Sequence, residues 1–170
     1  MTRNSILIAA TFIGAMASAD AAFAADEYNI STGTTVEGQG VALRGTDAVA
    51  LADGLEVTFG HARFTAVHDN VAYYFADEVT MTRFAADPER YMPRYGGFCA
   101  LGVALGKKLD GDPRYADVVD GKLYLFLNAA VFEAYSKDKA GILSKAERNW
   151  PGMHHRSVAE VNGLETASLR

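Results

Sequence analysis

From His61 to Val67 polar and apolar residues alternate. His61, Arg63, Thr65 and Val67 share one face, and Ala62, Phe64, Ala66 and His68 the other, the period-two pattern of a half-buried strand. Asp69-Asn70 interrupts the alternation before Val71-Ala-Tyr-Tyr-Phe75, a β-branched and aromatic run, so the pair predicts a hairpin. A second hairpin is predicted around Asp120-Gly121, between Ala116–Val119 and Lys122–Leu127, because Asp-Gly supplies the left-handed residues of a tight turn. The last of these strands is apolar on both faces, Leu123, Leu125 and Leu127 against Tyr124 and Phe126, which places it centrally.

Around the hairpins the period becomes helical. Asp77 is the expected N-cap of a helix whose apolar stripe is Met81, Phe84 and Ala85, and Pro88 ends it. Asn128 caps the next helix, with Val131, Phe132 and Tyr135 inward. Ile142, Leu143 and Ala146 mark a last helix ending near Trp150-Pro151. Val41 to Leu51 reads as a short strand, a turn at Gly45 and one helical turn. No internal repeat and no second domain is discerned. The pattern predicts a small α+β single domain, two β-hairpins forming an antiparallel sheet packed against three to four short helices.

The ends of the chain lack this patterning. Arg3, the apolar run Ile6 to Met16 and Ala22-Phe23-Ala24 have the layout of a secretory signal peptide over residues 1–24, cleaved after Ala24. The apolar run falls short of the roughly 20 residues a membrane span needs, so no membrane association is expected after cleavage. Residues 25–40 read as an extended lead-in, 41–151 as the domain, and 152–170 as a flexible tail. The net charge of −5 and the absence of a basic run argue against nucleic acid as a partner. A hydrophobic content of 49% argues against disorder.

Cys99 is the only cysteine, so no disulfide forms within the chain, and the thiol is buried, metal-bound, paired with another chain or reactive. It follows Gly96-Gly97 at the start of an expected helix over Phe98–Leu105, where unpaired N–H groups favour thiolate. Gly102 and Gly106 leave its face bare of side chains, so another backbone or a ligand could approach the sulfur. His68 is the histidine expected to look into a pocket. Met153-His154-His155 offers a thioether and two imidazoles, ligands that suit copper as Cu(I) or Cu(II) and zinc less well; a solvated tail is the alternative. A nucleophilic Cys99 with His68 as base and Asp69 as orienting group is a further possibility.

Several stretches together resemble the YHS domain family in its exported bacterial form: Gly45-Thr-Asp-Ala-Val49, Phe64 to Phe75, Phe84-Ala-Ala-Asp-Pro-Glu-Arg-Tyr91, Tyr95-Gly-Gly-Phe-Cys-Ala100, Val119 to Leu125 and Asn149-Trp-Pro151. The resemblance implies a small α+β module of a periplasmic or secreted protein that handles soft metals. Relatives with paired cysteines are thought to bind such metals, whereas this chain has Cys99 alone. The expectation is therefore a non-enzymatic, metal-binding domain with Cys99 as principal ligand, His68 as second ligand, and Met153, His154 and His155 as outer candidates. A homodimer or a periplasmic protein partner would fit the same features. The alternatives are a structural or protein–protein interaction module in which Cys99 only packs, and thiol redox or nucleophile chemistry.

Overall fold

The structure is a computed structural model that describes residues 27–30 and 33–163; the expected signal peptide and residues 164–170 lie outside them. The α+β class is as expected. In chain order the elements are β1 (Gly40–Val41), α1 (Ala48–Gly54), β2 (His61–His68), β3 (Val71–Phe75), α2 (Glu78–Ala86), α3 (Pro88–Tyr91), α4 (Ala100–Ala104), β4 (Asp112–Val119), β5 (Lys122–Phe126), α5 (Ala129–Ser136), α6 (Lys139–Asn149) and α7 (Val158–Asn162). Both hairpins form, β2–β3 and β4–β5. They belong to two sheets, β1-β3-β2 and β4-β5, with β1 parallel to β3.

The caps follow the sequence. The Asp77 carboxylate accepts the Thr80 N–H at 2.9 Å and the Asn128 side-chain oxygen accepts that of Val131 at 3.0 Å, each satisfying a donor that the first helical turn leaves open. The turn residues Asp69, Asn70, Asp120 and Gly121 all have positive φ, as a two-residue hairpin loop requires.

Laid side by side, these elements reveal a duplication that the sequence does not announce. Each half begins with three left-handed residues, Leu43-Arg44-Gly45 and Tyr95-Gly96-Gly97. An N-capping residue follows, Asp47 or Cys99, and then a short helix. The cap's N–H is bonded in each half to the residue before a bridge, Asp47 to the Thr58 carbonyl and Cys99 to that of Leu109, both at 2.8 Å. Each hairpin is irregular at the same place, between His61 and Thr65 or between Asp112 and Ala116. Each ends in a buried phenylalanine, Phe75 or Phe126, packed on an aromatic ring of the capped helix, Phe84 or Tyr135. From the hairpins onward the counterparts lie fifty-one positions apart, including the caps Asp77 and Asn128 and the caps Asp87 and Asp138. The expectation of no internal repeat is corrected accordingly.

Each unit has its own core. One cluster gathers Val49, Leu51, Val71, Tyr73, Phe75 and Phe84; the other gathers Phe98, Cys99, Val103, Phe126, Tyr135 and Ala146. Strand β5 joins them, since Leu123 and Leu125 enter the first cluster while Tyr124 and Phe126 enter the second. Its far edge meets the chain at Pro93 and Cys99 in parallel bridges. The apolar-on-both-faces reading thus corresponds to a strand shared between two cores.

Candidate metal centre

Cys99 is wholly buried, at 0% exposure. It precedes α4 as its N-cap, and its Sγ accepts the Gly102 N–H at 3.4 Å. The bare face beside it is covered by the chain itself: a side chain at Gly102 would meet the Lys107 carbonyl oxygen at 3.2 Å and Leu109 at 3.3 Å. The chain itself, rather than a ligand, takes up the close approach that Gly102 permits. Cys99 occupies the position of Asp47 in the first unit. There the buried carboxylate accepts from the N–H groups of Val49, Ala50 and Ala76 and from the Thr80 hydroxyl.

Two segments lie outside the duplicated units, residues 27–30 and the chain beyond α6, and they converge. The Asn29 N–H donates to the Gly96 carbonyl at 2.8 Å. Gly96 has φ +61, and any side chain there would collide with the backbone of Glu27 and come within 3.0 Å of the Tyr28 Cα. The first glycine of Tyr95-Gly-Gly-Phe-Cys is therefore the seat on which Glu27 and Tyr28 rest.

The C-terminal segment, expected as a flexible tail, is described as far as Gly163. It includes α7 and docks through Met153, Val158 and Val161, which pack on the second core, and through polar groups. Asn149 Nδ2 donates to the Val103 and Ala104 carbonyls, both at 3.1 Å, capping the end of α4. Lys108, only 1% exposed, passes its amine between the rings of Phe98 and Trp150, at 5.2 and 5.4 Å. The amine donates to the carbonyls of His154 at 3.0 Å and Arg156 at 2.6 Å. Asn162 pairs with both backbone groups of Lys108. These bonds are spread over residues with no hydrophobic period, so the pattern of the sequence could not reveal them.

Lys108 and Gly96 thereby hold opposite sides of one cluster. The Glu27 carboxylate receives His155 Nδ1 on Oε1 and lies 3.4 Å from His154 Nε2 through Oε2. One ligand atom from each of the three residues lies within 4.8 Å of the others, the single such group of three among the described residues. A tetrahedral ion with bonds of roughly 2.1 Å spaces its ligand atoms by about 3.4 Å, close to the His154–Glu27 separation. Burial lowers the pKa of His154, and the His155 and Lys108 charges add to this, against the opposing pull of Glu27. The effect keeps a neutral imidazole lone pair ready for a metal.

The five residues singled out from the sequence are distributed over three places. His154 and His155 come together with Glu27, a residue that sequence reasoning missed. Met153, adjacent in the chain, turns into the second core with Cys99. His68 ends β2 near Asp69 and Glu89, at 3.7 and 3.9 Å. No group of three metal-type ligands among the described residues includes Cys99 or His68. No described helix is long and apolar enough to cross a membrane.

Comparison with known proteins returned no match: no family model, no curated protein and no solved structure aligns with the chain.

Proposed function

We propose that this is a metal-binding module of an exported, YHS-like protein, and that the ion is held by Glu27, His154 and His155 rather than by Cys99. The observation that carries this reading is the approach of three ligand atoms to within 4.8 Å, from segments at opposite ends of the chain. Two imidazoles and a carboxylate without sulfur favour Cu(II) over Cu(I), and among divalent first-row ions Cu(II) binds such sets most tightly, ahead of Zn(II). Cys99 then serves as a packed helix cap, the role its counterpart Asp47 plays in the first unit.

The test is titration of chelator-treated protein with Cu(II) and Zn(II), and with Cu(I) under anaerobic conditions. Glu27→Gln and His154→Asn should each lower Cu(II) affinity at least tenfold, while Cys99→Ser should leave it unchanged. Equal Cu(II) affinity in wild type and His154→Asn, or loss of binding in Cys99→Ser alone, would overturn the assignment.

A further inference from the structure

The duplication leaves one surface of the second unit covered and its counterpart in the first unit open. The Thr58 and Leu109 carbonyls receive the N–H groups of Asp47 and Cys99, so Val57 is the counterpart of Lys108, and Glu56 that of Lys107. In the second unit α7 lies over this loop. Asn162 bonds both backbone groups of Lys108, at 3.0 and 2.9 Å. The Lys107 amine donates to the Asn162 carbonyl, at the end of the helix, at 3.1 Å. Val158 and Val161, one helical turn apart, put the apolar side of α7 against the second core.

In the first unit nothing among the described residues takes that place. The Val57 N–H and carbonyl make no hydrogen bond among them. Leu55, Val57 and Phe59 are 45%, 40% and 67% exposed, whereas Lys108 is 1% exposed. A groove of about 220 Å³ runs beside Val57 and Phe59, walled also by Thr46 and Pro113. Arg44 and Arg114, which line it too, are both paired with Asp112, at 2.7 and 2.6 Å. Three apolar side chains within five positions, beside an open backbone pair, set this patch apart from singly scattered surface hydrophobics.

We propose that this surface binds a short helix of another protein, set across Val57 as α7 is set across Lys108. The covered loop defines what such a helix carries. Two apolar residues one turn apart meet Leu55, Val57 and Phe59, and an asparagine at the helix end bonds the Val57 N–H and carbonyl. Glu56 stands where Lys107 meets the last helical carbonyl, so a lysine or arginine just beyond the asparagine completes the match. A second copy of this chain is the poorer occupant, because its α7 is already engaged on its own Lys108.

The probe is a synthetic peptide of residues 153–163 extended by one lysine. It is titrated into isotopically labelled protein and followed through amide NMR shifts. The Val57 and Phe59 amides should move to saturation while that of Lys108 stays in place. A peptide carrying Asn162→Ala should bind about tenfold more weakly, the loss of two hydrogen bonds. Phe59→Asp in the protein should weaken binding by about tenfold or more. Phe59 is exposed, so this variant keeps its fold, and its Cu(II) affinity should not change. Absence of a saturable shift at Val57 and Phe59, movement of Lys108 instead, or wild-type affinity with either substitution would each overturn the proposal. Shifts at residues 55–59 that grow with protein concentration in the absence of peptide would also overturn it, by giving the surface to a second copy.

Discussion

Substituting Gly96 by alanine tests whether the Gly-Gly turn exists to seat a ligand. An alanine Cβ there would stand 2.9 Å from the Glu27 carbonyl carbon and 3.0 Å from the Tyr28 Cα, and closer still to the carbonyl oxygen. Ordinary carbon contacts are about 3.5–4.0 Å, so the Glu27–Tyr28 segment must retreat by about 1 Å. The bond from Asn29 N–H to the Gly96 carbonyl opens with it. A second effect must be removed, because alanine at positive φ costs about 1–2 kcal/mol wherever it is placed. Gly106 supplies the control, with φ +74 and nothing within 4 Å of an added Cβ. Both variants should therefore lose similar stability in urea when metal-free. Only Gly96→Ala should also lose Cu(II) affinity, by roughly 10–100-fold, the range for disturbing the support of a ligand. Competition against a chromophoric chelator measures this. Equal affinities in the two variants would refute the reasoning.

The remaining predictions concern the cap positions, the buried lysine and pH. Cys99 should resist thiol reagents in the folded protein and react only on unfolding, and Cys99→Ala should cost about 1–2 kcal/mol by urea denaturation. Asp47→Asn should cost about 3 kcal/mol by the same assay, because an amide N–H₂ must face donors that now meet a carboxylate oxygen. Lys108→Met keeps the packing but removes both bonds to the His154 and Arg156 carbonyls. It should raise amide exchange across residues 153–163 and weaken Cu(II) binding, with β2–β3 exchange unchanged. Since the His154 pKa is lowered in the fold, its contribution to stability is present above the ordinary imidazole value of 6.5 and is lost as pH falls through the lower folded value. Acid titration of metal-free protein should show that loss in wild type and not in His154→Asn.

Local elements were legible because local chemistry sets them. Asp69-Asn70 and Asp120-Gly121 announce their turns, and Asp77 and Asn128 their helices. The duplication was not legible, since few counterparts are identical, among them Gly60 and Gly111, Arg63 and Arg114, Val67 and Val118, Asp69 and Asp120, Tyr73 and Tyr124, Phe75 and Phe126, Asp87 and Asp138. What repeats is backbone conformation, which different side chains can satisfy, as Asp47 and Cys99 do at one cap. Cys99 drew attention by its chemistry and its glycines, but only the tertiary fold shows Gly102 accommodating Lys107 and Leu109. Glu27 could not have been found, because no periodicity links it to histidines at the far end of the chain.

Glu27 and His155 are 128 positions apart, in a chain whose single cysteine precludes an internal disulfide. An ion bridging them closes nearly the whole described polypeptide into one loop. Chain-entropy arguments assign a cross-link over about 100 residues close to 5 kcal/mol, acting on the unfolded state. The metal would then be a clasp as well as a cargo. Its removal should lower the unfolding midpoint of both units together, including the first core, which contains none of the ligands.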